Sequence, residues 1–294
     1  MYAIIGITGN VGGAAARALL AAGKSVRGIV RDRAKAARWA EQGVELVTAD
    51  VNDEATLAKT FDGAEGVFVM VPPNFAPAPD FPETRAIVAV LRRALAAARP
   101  GKVVYLSSAG AHQKSGLGLI TQSHILEAEM GLLPVPNAFI RAAWFMENYQ
   151  WDVGSAWERG EIDVYLDPVD RAFPMVATED IGRLAAATLQ QTWTGNRYLE
   201  LEGPRRYSPL EAAEVFTKLL KRTVAVRAVP RSAWASVFEH QGTPKDRTTP
   251  RIEMLDGFNS GWIDFERAGT EPLKGLRSLE EVLAALIQKA APVY

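Results

Sequence analysis

The chain contains no cysteine. That excludes disulfides, thiolate metal sites and a cysteine nucleophile. Histidine is scarce as well, with only His112, His124 and His240. No acids and histidines recur at metal-ligand spacing, so no metal is expected. Charge of one sign is also lacking. Lys and Arg number 33 and Asp and Glu 34, a net charge of −1 over 294 residues. No global field recruits nucleic acid or an acidic membrane surface. No apolar run approaches the roughly 20 residues of a membrane span. The first residues already read as a strand, so no signal peptide is expected and the cytoplasm is the expected compartment. Hydrophobic residues make up 48% and charged residues 23%. These are ordinary globular values, and the length suits one large domain or two modest ones.

What the chain does have is a glycine turn near its start. Ala3-Ile4-Ile5 leads into Gly6-Ile7-Thr8-Gly9-Asn10-Val11-Gly12, and an Ala-rich helical stretch runs from Ala14 to Ala22. Glycines alone are weak evidence, since such spacing also occurs in ordinary strand-to-helix turns. Here the order is strand, turn, helix, as a dinucleotide-binding fold requires. The glycines leave no side chain between backbone and ligand, so helix-opening N–H groups can point at a pyrophosphate.

The first half repeats this rhythm. Strands are expected at Ser25–Val30, Val44–Ala49, Gly66–Val71, Lys102–Ser107 and Ala138–Ile140. Helices are expected at Arg33–Gln42, from Asn52 or Asp53 to Phe61, at Glu83–Ala98 and at Ser123–Leu132. Alternating strands and helices imply an α/β fold of the Rossmann type, with a doubly wound parallel sheet. Beyond Arg141 the rhythm loosens, although Thr178-Glu179-Asp180 opens a helix, Tyr198–Leu201 reads as a strand, and Ser208 caps a helix starting at Pro209. Gln241–Pro250 is polar and reads as a loop. The expected division is a nucleotide-binding domain over 1–142 and a smaller, irregular substrate lobe over 143–294, with segments free to cross between them. The lobe would complete a cleft over the strand ends, where such folds bind ligands.

The strand ends set the cofactor. Strand two ends in Val30-Arg31-Asp32-Arg33, with Lys35 close behind. A guanidinium at Arg31 can grip a ribose 2′-phosphate that an acid would repel, so NADP(H) is preferred over NAD(H). Asp32 argues the other way, and a plain solvated Arg-Asp-Arg turn is the competing reading. Asp50-Val51 would flank the adenine. Val71-Pro72-Pro73-Asn74 and Ser107-Ser108 are the strand ends nearest a nicotinamide; each also reads as a plain turn.

These residues together resemble the NmrA-like branch of atypical short-chain dehydrogenases/reductases. The resemblance rests on Gly-x-Thr-Gly-x-x-Gly, Arg31, Asp50-Val51, Ser107-Ser108, His124 with Glu127, Ile140-Arg141, Trp144-Phe145-Met146-Glu147-Asn148-Tyr149 and Phe173–Ile181. It covers nearly the whole chain. Within the branch, the likeness is to flavin-free NADPH-dependent quinone reductases and azo reductases. It implies hydride transfer from NADPH to a small aromatic or quinone-like substrate, without flavin. One departure stands out. The Tyr-x-x-x-Lys pair of typical short-chain dehydrogenases is missing from the region Gly118–Glu127.

A ketone becomes an alkoxide on reduction, and losing a positioned acid costs on the order of 10²–10⁴ in rate. A quinone becomes a delocalised phenolate that water can protonate later. A site that only positions a flat acceptor suffices for it. Asn74, Trp144, Phe145, Tyr149 and Trp262 are the candidate substrate walls, with core packing as the alternative for the aromatics. His124 and Ser108 are the candidate catalytic residues: His124 as a donor to the nicotinamide ribose or the substrate, Ser108 as a hydrogen bonder to the carboxamide or a substrate oxygen. A structural hydrogen bond is the competing role for His124. The family also holds non-catalytic NADP(H)-binding redox sensors, so a regulatory protein of that type is the second reading. The chain is expected to be a monomer or a homodimer.

Overall fold

Apolar residues fill every position of the first strand, and alternation divides them between two cores. In the computed structural model, which describes residues 1–290, Tyr2 and Ile4 point into one hydrophobic cluster and Ala3 and Ile5 into another. A strand buried on both faces belongs inside a parallel sheet with helices on each side.

The strands are β1 (Tyr2–Ile5), β2 (Val26–Val30), β3 (Glu45–Thr48), β4 (Gly66–Val69), β5 (Val103–Ser108), β6 (Asn137–Ala142), β7 (Trp144–Phe145), β8 (Glu161–Val164), β9 (Met175–Val176), β10 (Asn196–Glu202), β11 (Ala225–Ala228) and β12 (Glu271–Lys274). The helices are α1 (Asn10–Ala21), α2 (Ala37–Glu41), α3 (Glu54–Phe61), α4 (Pro82–Ala98), α5 (Thr121–Met130), α6 (Val153–Glu158), α7 (Thr178–Leu189), α8 (Pro209–Leu220), α9 (Trp234–His240), α10 (Thr249–Ser260) and α11 (Leu279–Ala290). Eight strands form one parallel sheet in the order β3-β2-β1-β4-β5-β6-β10-β12. Helices α1, α2 and α7 cover one face; α3, α4 and α5 cover the other. The fold is the doubly wound Rossmann type expected from the strand–helix rhythm.

Several boundaries moved for local reasons. The helix expected over Arg33–Gln42 is broken into a 3₁₀ turn at Ala34–Ala36 and the short α2. The Asp32 carboxylate accepts from the Ala34 N–H at 2.9 Å and holds the chain in a turn there. Strand β4 stops at Val69, so Met70 and Val71 leave the sheet. The polar stretch Gln241–Pro250 holds a 3₁₀ turn at Lys245–Arg247, and its last two residues open α10 rather than closing a loop.

Chain from the second half completes the first-half sheet. Strand β10 pairs with β6, and β12 adds the outer edge. Pro272 sits in β12 without harm, because an edge strand has an unpaired side. The remaining second-half elements form their own core around Met146, Tyr149, Phe173, Phe216, Phe258 and Leu279. Two acids fasten this region to the sheet. The Glu147 carboxylate accepts from the Thr178 N–H at 2.9 Å and the Thr178 hydroxyl at 2.6 Å, at the start of α7. Asp180 accepts from the Leu276 and Arg277 N–H groups at 3.0 and 2.9 Å.

Helix α7 lies directly on α1. A Cβ at Gly182 would come within 2.6 Å of the Val11 carbonyl oxygen and would also strike the Ala14 Cβ. The backbone atoms involved cannot swing aside. Gly182→Ala is therefore expected to destabilise the protein by about 1–3 kcal/mol, the usual cost of overpacking. Urea unfolding checks this; an unchanged midpoint would contradict the close packing.

Candidate functional site

The glycine turn is built around one crowded point. Gly6 has φ +76°, a conformation that favours glycine, and a Cβ there would meet Met70 Sδ at 2.5 Å. A Cβ at Gly12 would lie 2.6 Å from the Gly6 carbonyl carbon and closer still to its oxygen. The Gly9 N–H donates to that same oxygen at 2.9 Å. Helix α1 then starts from Gly9 with no side-chain cap and no acid in its first turn. Thr8, Gly9 and Asn10 are exposed, whereas Val11 and Gly12 are buried beneath them. An uncapped helix start with bare N–H groups and no repelling carboxylate fits a pyrophosphate.

The next strand ends differ in what they leave free. Arg31 is exposed and has no hydrogen-bond or ion-pair partner among the described residues; the side chain of Lys35 is equally free. Arg33 is committed, since its Nη1 donates to the Leu46 carbonyl at 3.0 Å. Asp32 is occupied by its own turn. Asp50 accepts from the Asn52 N–H at 2.9 Å and from Asn52 Nδ2 at 2.7 Å. Val51 is half-buried against the α3–α4 core.

Beside the turn opens a cleft of about 1290 Å³. Met70 belongs to both places: it packs at Gly6 and lines the cleft. Val71, Pro72, Pro73 and Asn74 form one lip, and Ser107 and Ser108 arrive from the end of β5. Trp144, Phe145 and Tyr149 form the facing wall. Trp144 meets Phe258 edge-on at 5.2 Å and Tyr149 meets Phe216 at 6.2 Å, so these rings are fixed by packing while they line the cleft. Phe75 (61% exposed) and Trp151 (82%) stand at the rim. Gln122 Nε2 donates to the Asn74 carbonyl at 3.0 Å and ties that lip to α5.

The candidate polar residues are placed unequally. The Ser107 hydroxyl donates to Glu127 Oε1 at 2.6 Å and is thereby occupied. Ser108 lines the cleft, and its hydroxyl has no protein partner among the described residues. His124 does not line the cleft. Its Nδ1 lies 2.9 Å from the Ala111 carbonyl oxygen. A carbonyl oxygen only accepts, so that contact places a proton on Nδ1. Trp262 also lies outside the cleft lining. Its Nε1 donates to the Ser115 carbonyl at 3.0 Å, and its ring lies against Gly116.

Two features escaped the sequence reading. The first is a buried ion network under the cleft. Arg141 forks onto Glu127 (Nε–Oε1 3.0 Å, Nη2–Oε2 2.8 Å), reaches Glu266 at 2.6 Å and stacks 4.4 Å above Tyr198. Burial alone would lower its pKa; the bonds and charge of Glu127 reverse this and hold it above the usual value. The motif residues Ile140-Arg141 and His124-x-x-Glu127 thus pin β5, α5 and β6 together. The second is Asp152, three residues past the Trp144–Tyr149 segment and on the cleft wall. Burial pushes its carboxyl up to about 7; the Asp163 N–H, donating at 3.2 Å, opposes this, and the Asp163 charge adds to it. The buried Tyr149 hydroxyl is likewise raised, by burial and then by the Asp152 charge.

Asp152 makes a pH prediction. Its folded pKa lies above the unfolded one, so the folded state holds the extra proton between about pH 4 and pH 7. Stability from this group is complete below that window and falls as pH rises through it, by on the order of 4 kcal/mol. Asp152→Asn is expected to flatten that slope and to stabilise the protein at pH 8. Urea titrations across the window check this, and identical slopes in both proteins would contradict it.

With this geometry in view, comparisons with known proteins agree on the architecture. The NmrA-like family model matches residues 2–249. The NAD(P)H azoreductase of Xenophilus azovorans is 24% identical over 259 residues, covering 86% of each chain. Quinone oxidoreductase 2 of Escherichia coli K12 is 25% identical over 247 residues, covering 83% of each. Among solved structures, the NADPH-dependent quinone oxidoreductase QOR2 of Escherichia coli, complexed with NADPH, superposes with a TM-score of 0.79 at 22% identity, over 97% of this chain and 99% of that one. The NADP(H) complex of a Citrobacter triphenylmethane reductase gives 0.78 at 20% identity, over 99% of each. These structural likenesses concern the fold. An uncapped glycine-turn helix, a parallel doubly wound sheet and a family match across most of the sequence lead to one assignment: the chain belongs to the NmrA-like family.

Proposed function

We propose that the chain is an NADPH-dependent reductase that passes hydride directly, without flavin, to a flat acceptor such as a quinone or an azo compound. The observation that carries this reading is Met70, which packs into the glycine turn and also lines the aromatic-walled cleft, so cofactor and acceptor sites adjoin. The names of the azoreductase and quinone oxidoreductase relatives support the acceptor class.

The residue roles follow from what each group has free. Gly6, Gly9 and Gly12 let the N–H groups at Asn10 and Val11 approach the pyrophosphate. Arg31, aided by Lys35, holds the ribose 2′-phosphate; its freedom from any carboxylate and the diversion of Asp32 into its own turn favour NADP(H). Asp50 and Val51 border the adenine. Val71, Pro72, Pro73 and Ser108 flank the nicotinamide. Bound NADPH supplies the hydride. The protein orients a flat acceptor between Trp144, Phe145, Tyr149 and the Asn74 lip and keeps water from the ring face. Ser108 donates from its unengaged hydroxyl to an acceptor oxygen. His124 serves as a positioning residue, holding the Ala111 loop through Nδ1. No Tyr-x-x-x-Lys pair occurs anywhere in the chain, so a delocalised phenolate, protonated later by water, suits this site better than an alkoxide.

Purified protein free of flavin absorbance is expected to oxidise NADPH with quinones and azo dyes and to leave simple ketones nearly untouched. Tight NADPH binding without turnover on any of these acceptors would replace the reductase reading with that of a redox sensor. Arg31→Asp is expected to weaken NADPH roughly tenfold or more, as loss of charged hydrogen bonds implies, and to spare NADH. Equal loss for both cofactors would contradict the role of Arg31.

A further inference from the structure

The guanidinium groups around the cleft are engaged, with one exception. Arg227 pairs with Asp163, its Nη2 lying 2.5 Å from Oδ2, and Arg159 pairs with Glu161 at 3.0 Å. Arg231 forks onto Asp256 at 2.7 and 2.6 Å, and Arg171 donates to the Phe258 carbonyl at 2.9 Å. Arg251, in the first turn of α10, lines the cleft yet has no carboxylate partner among the described residues. Its Nη1 donates to the neutral Gln241 Oε1 at 2.7 Å. The Phe238 ring covers one face of the guanidinium at 3.8 Å. Burial lowers its pKa, and Tyr165 opposes this only in part. A guanidinium cannot shed its proton, so a partly desolvated one with idle donors is a binding site for an anion.

Nearby acids do not neutralise it. Asp163 is taken by Arg227. Asp152 is half-protonated near neutrality. Glu158 stands exposed on α6. The cofactor phosphates are not candidates either, because the α1 N-terminus and Arg31 lie outside the cleft lining. The anion must arrive on the molecule that fills the cleft. We propose that Arg251 selects flat aromatic ligands that carry an anionic substituent, a carboxylate or sulfonate, seated beside the Tyr165 ring that lines the cleft. That these ligands are hydride acceptors rests on the reductase reading; that the cleft takes them does not.

The test is calorimetric binding of naphthalenesulfonate, with neutral naphthalenemethanol as control, to the full chain in the presence of NADP⁺. Neither probe can be reduced, so the result is independent of turnover. Two variants are compared with the parent protein. Arg251→Gln removes the charge. Gln241→Glu leaves Arg251 packed on Phe238 and supplies the missing carboxylate. Both are expected to weaken the sulfonate about tenfold or more, the scale of a charged hydrogen bond, and to leave the alcohol unchanged. Failure of the parent protein to bind the sulfonate, equal sulfonate affinity in all three proteins, or equal loss of both probes overturns the proposal. Turnover of naphthoquinone and its sulfonate by the parent protein is read separately. Absent turnover with selective sulfonate binding would sink the reductase reading alone, while the anion site would stand.

Discussion

Gly12 lies so close to the Gly6 backbone that it has no room for a methyl group, and the Met70 side chain fills the corresponding space at Gly6. Everything nearby is arranged by that contact. It turns β1 sharply into α1 and leaves the first helical N–H groups uncapped and facing outward. It also brings the Met70 side chain against Gly6, where β4 has just left the sheet. The uncapped start of α1 and the aromatic cleft therefore share a wall. Helix α7 reinforces the arrangement from behind, packing through Gly182 onto the α1 backbone. A start to α1 displaced by a side chain would move the proposed cofactor site relative to the cleft.

The floor of the cleft depends on a different kind of force. Arg141 is almost fully buried among Glu127, Glu200 and Glu266. Such a cluster adds little net stability compared with apolar packing, but removing one member leaves uncompensated charge, at a cost of about 3–5 kcal/mol. Its geometric value is clear: it fixes the end of β5, where Ser107 is held by Glu127 and Ser108 is left free. The aromatic wall gains definition from packing instead, through the edge contacts of Trp144 with Phe258 and Tyr149 with Phe216.

The parts legible in the sequence were those whose causes are local. Strands β1 and β4 belong to continuous apolar runs that end at Gly6 and Pro72, β2, β5 and β6 carry shorter apolar stretches, and the glycine turn announces its own conformation. Asp53 and Ser208 cap α3 and α8 as their residue types suggest. What stayed hidden depended on distant chain. Strand β12 carries a proline and a lysine and is recognisable only beside β10. His124 and Trp262 have suitable chemistry, but the Ala111 and Ser115 carbonyls draw them into structural contacts away from the cleft. Glu127 and Arg141 stand out as motif residues, yet their pairing across 14 positions is tertiary. The raised Asp152 carboxyl and the unpaired Arg251 arise from burial and from missing partners, which no local pattern encodes.

The central claim is that hydride passes from NADPH straight to an acceptor in the adjoining cleft. Single-turnover oxidation of NADPH carrying deuterium at the transferred position, with a quinone in excess and no flavin present, tests this most directly. The account predicts stoichiometric oxidation slowed by a primary isotope effect. Oxidation that needs added flavin, or stable NADPH in the presence of every quinone, would contradict it.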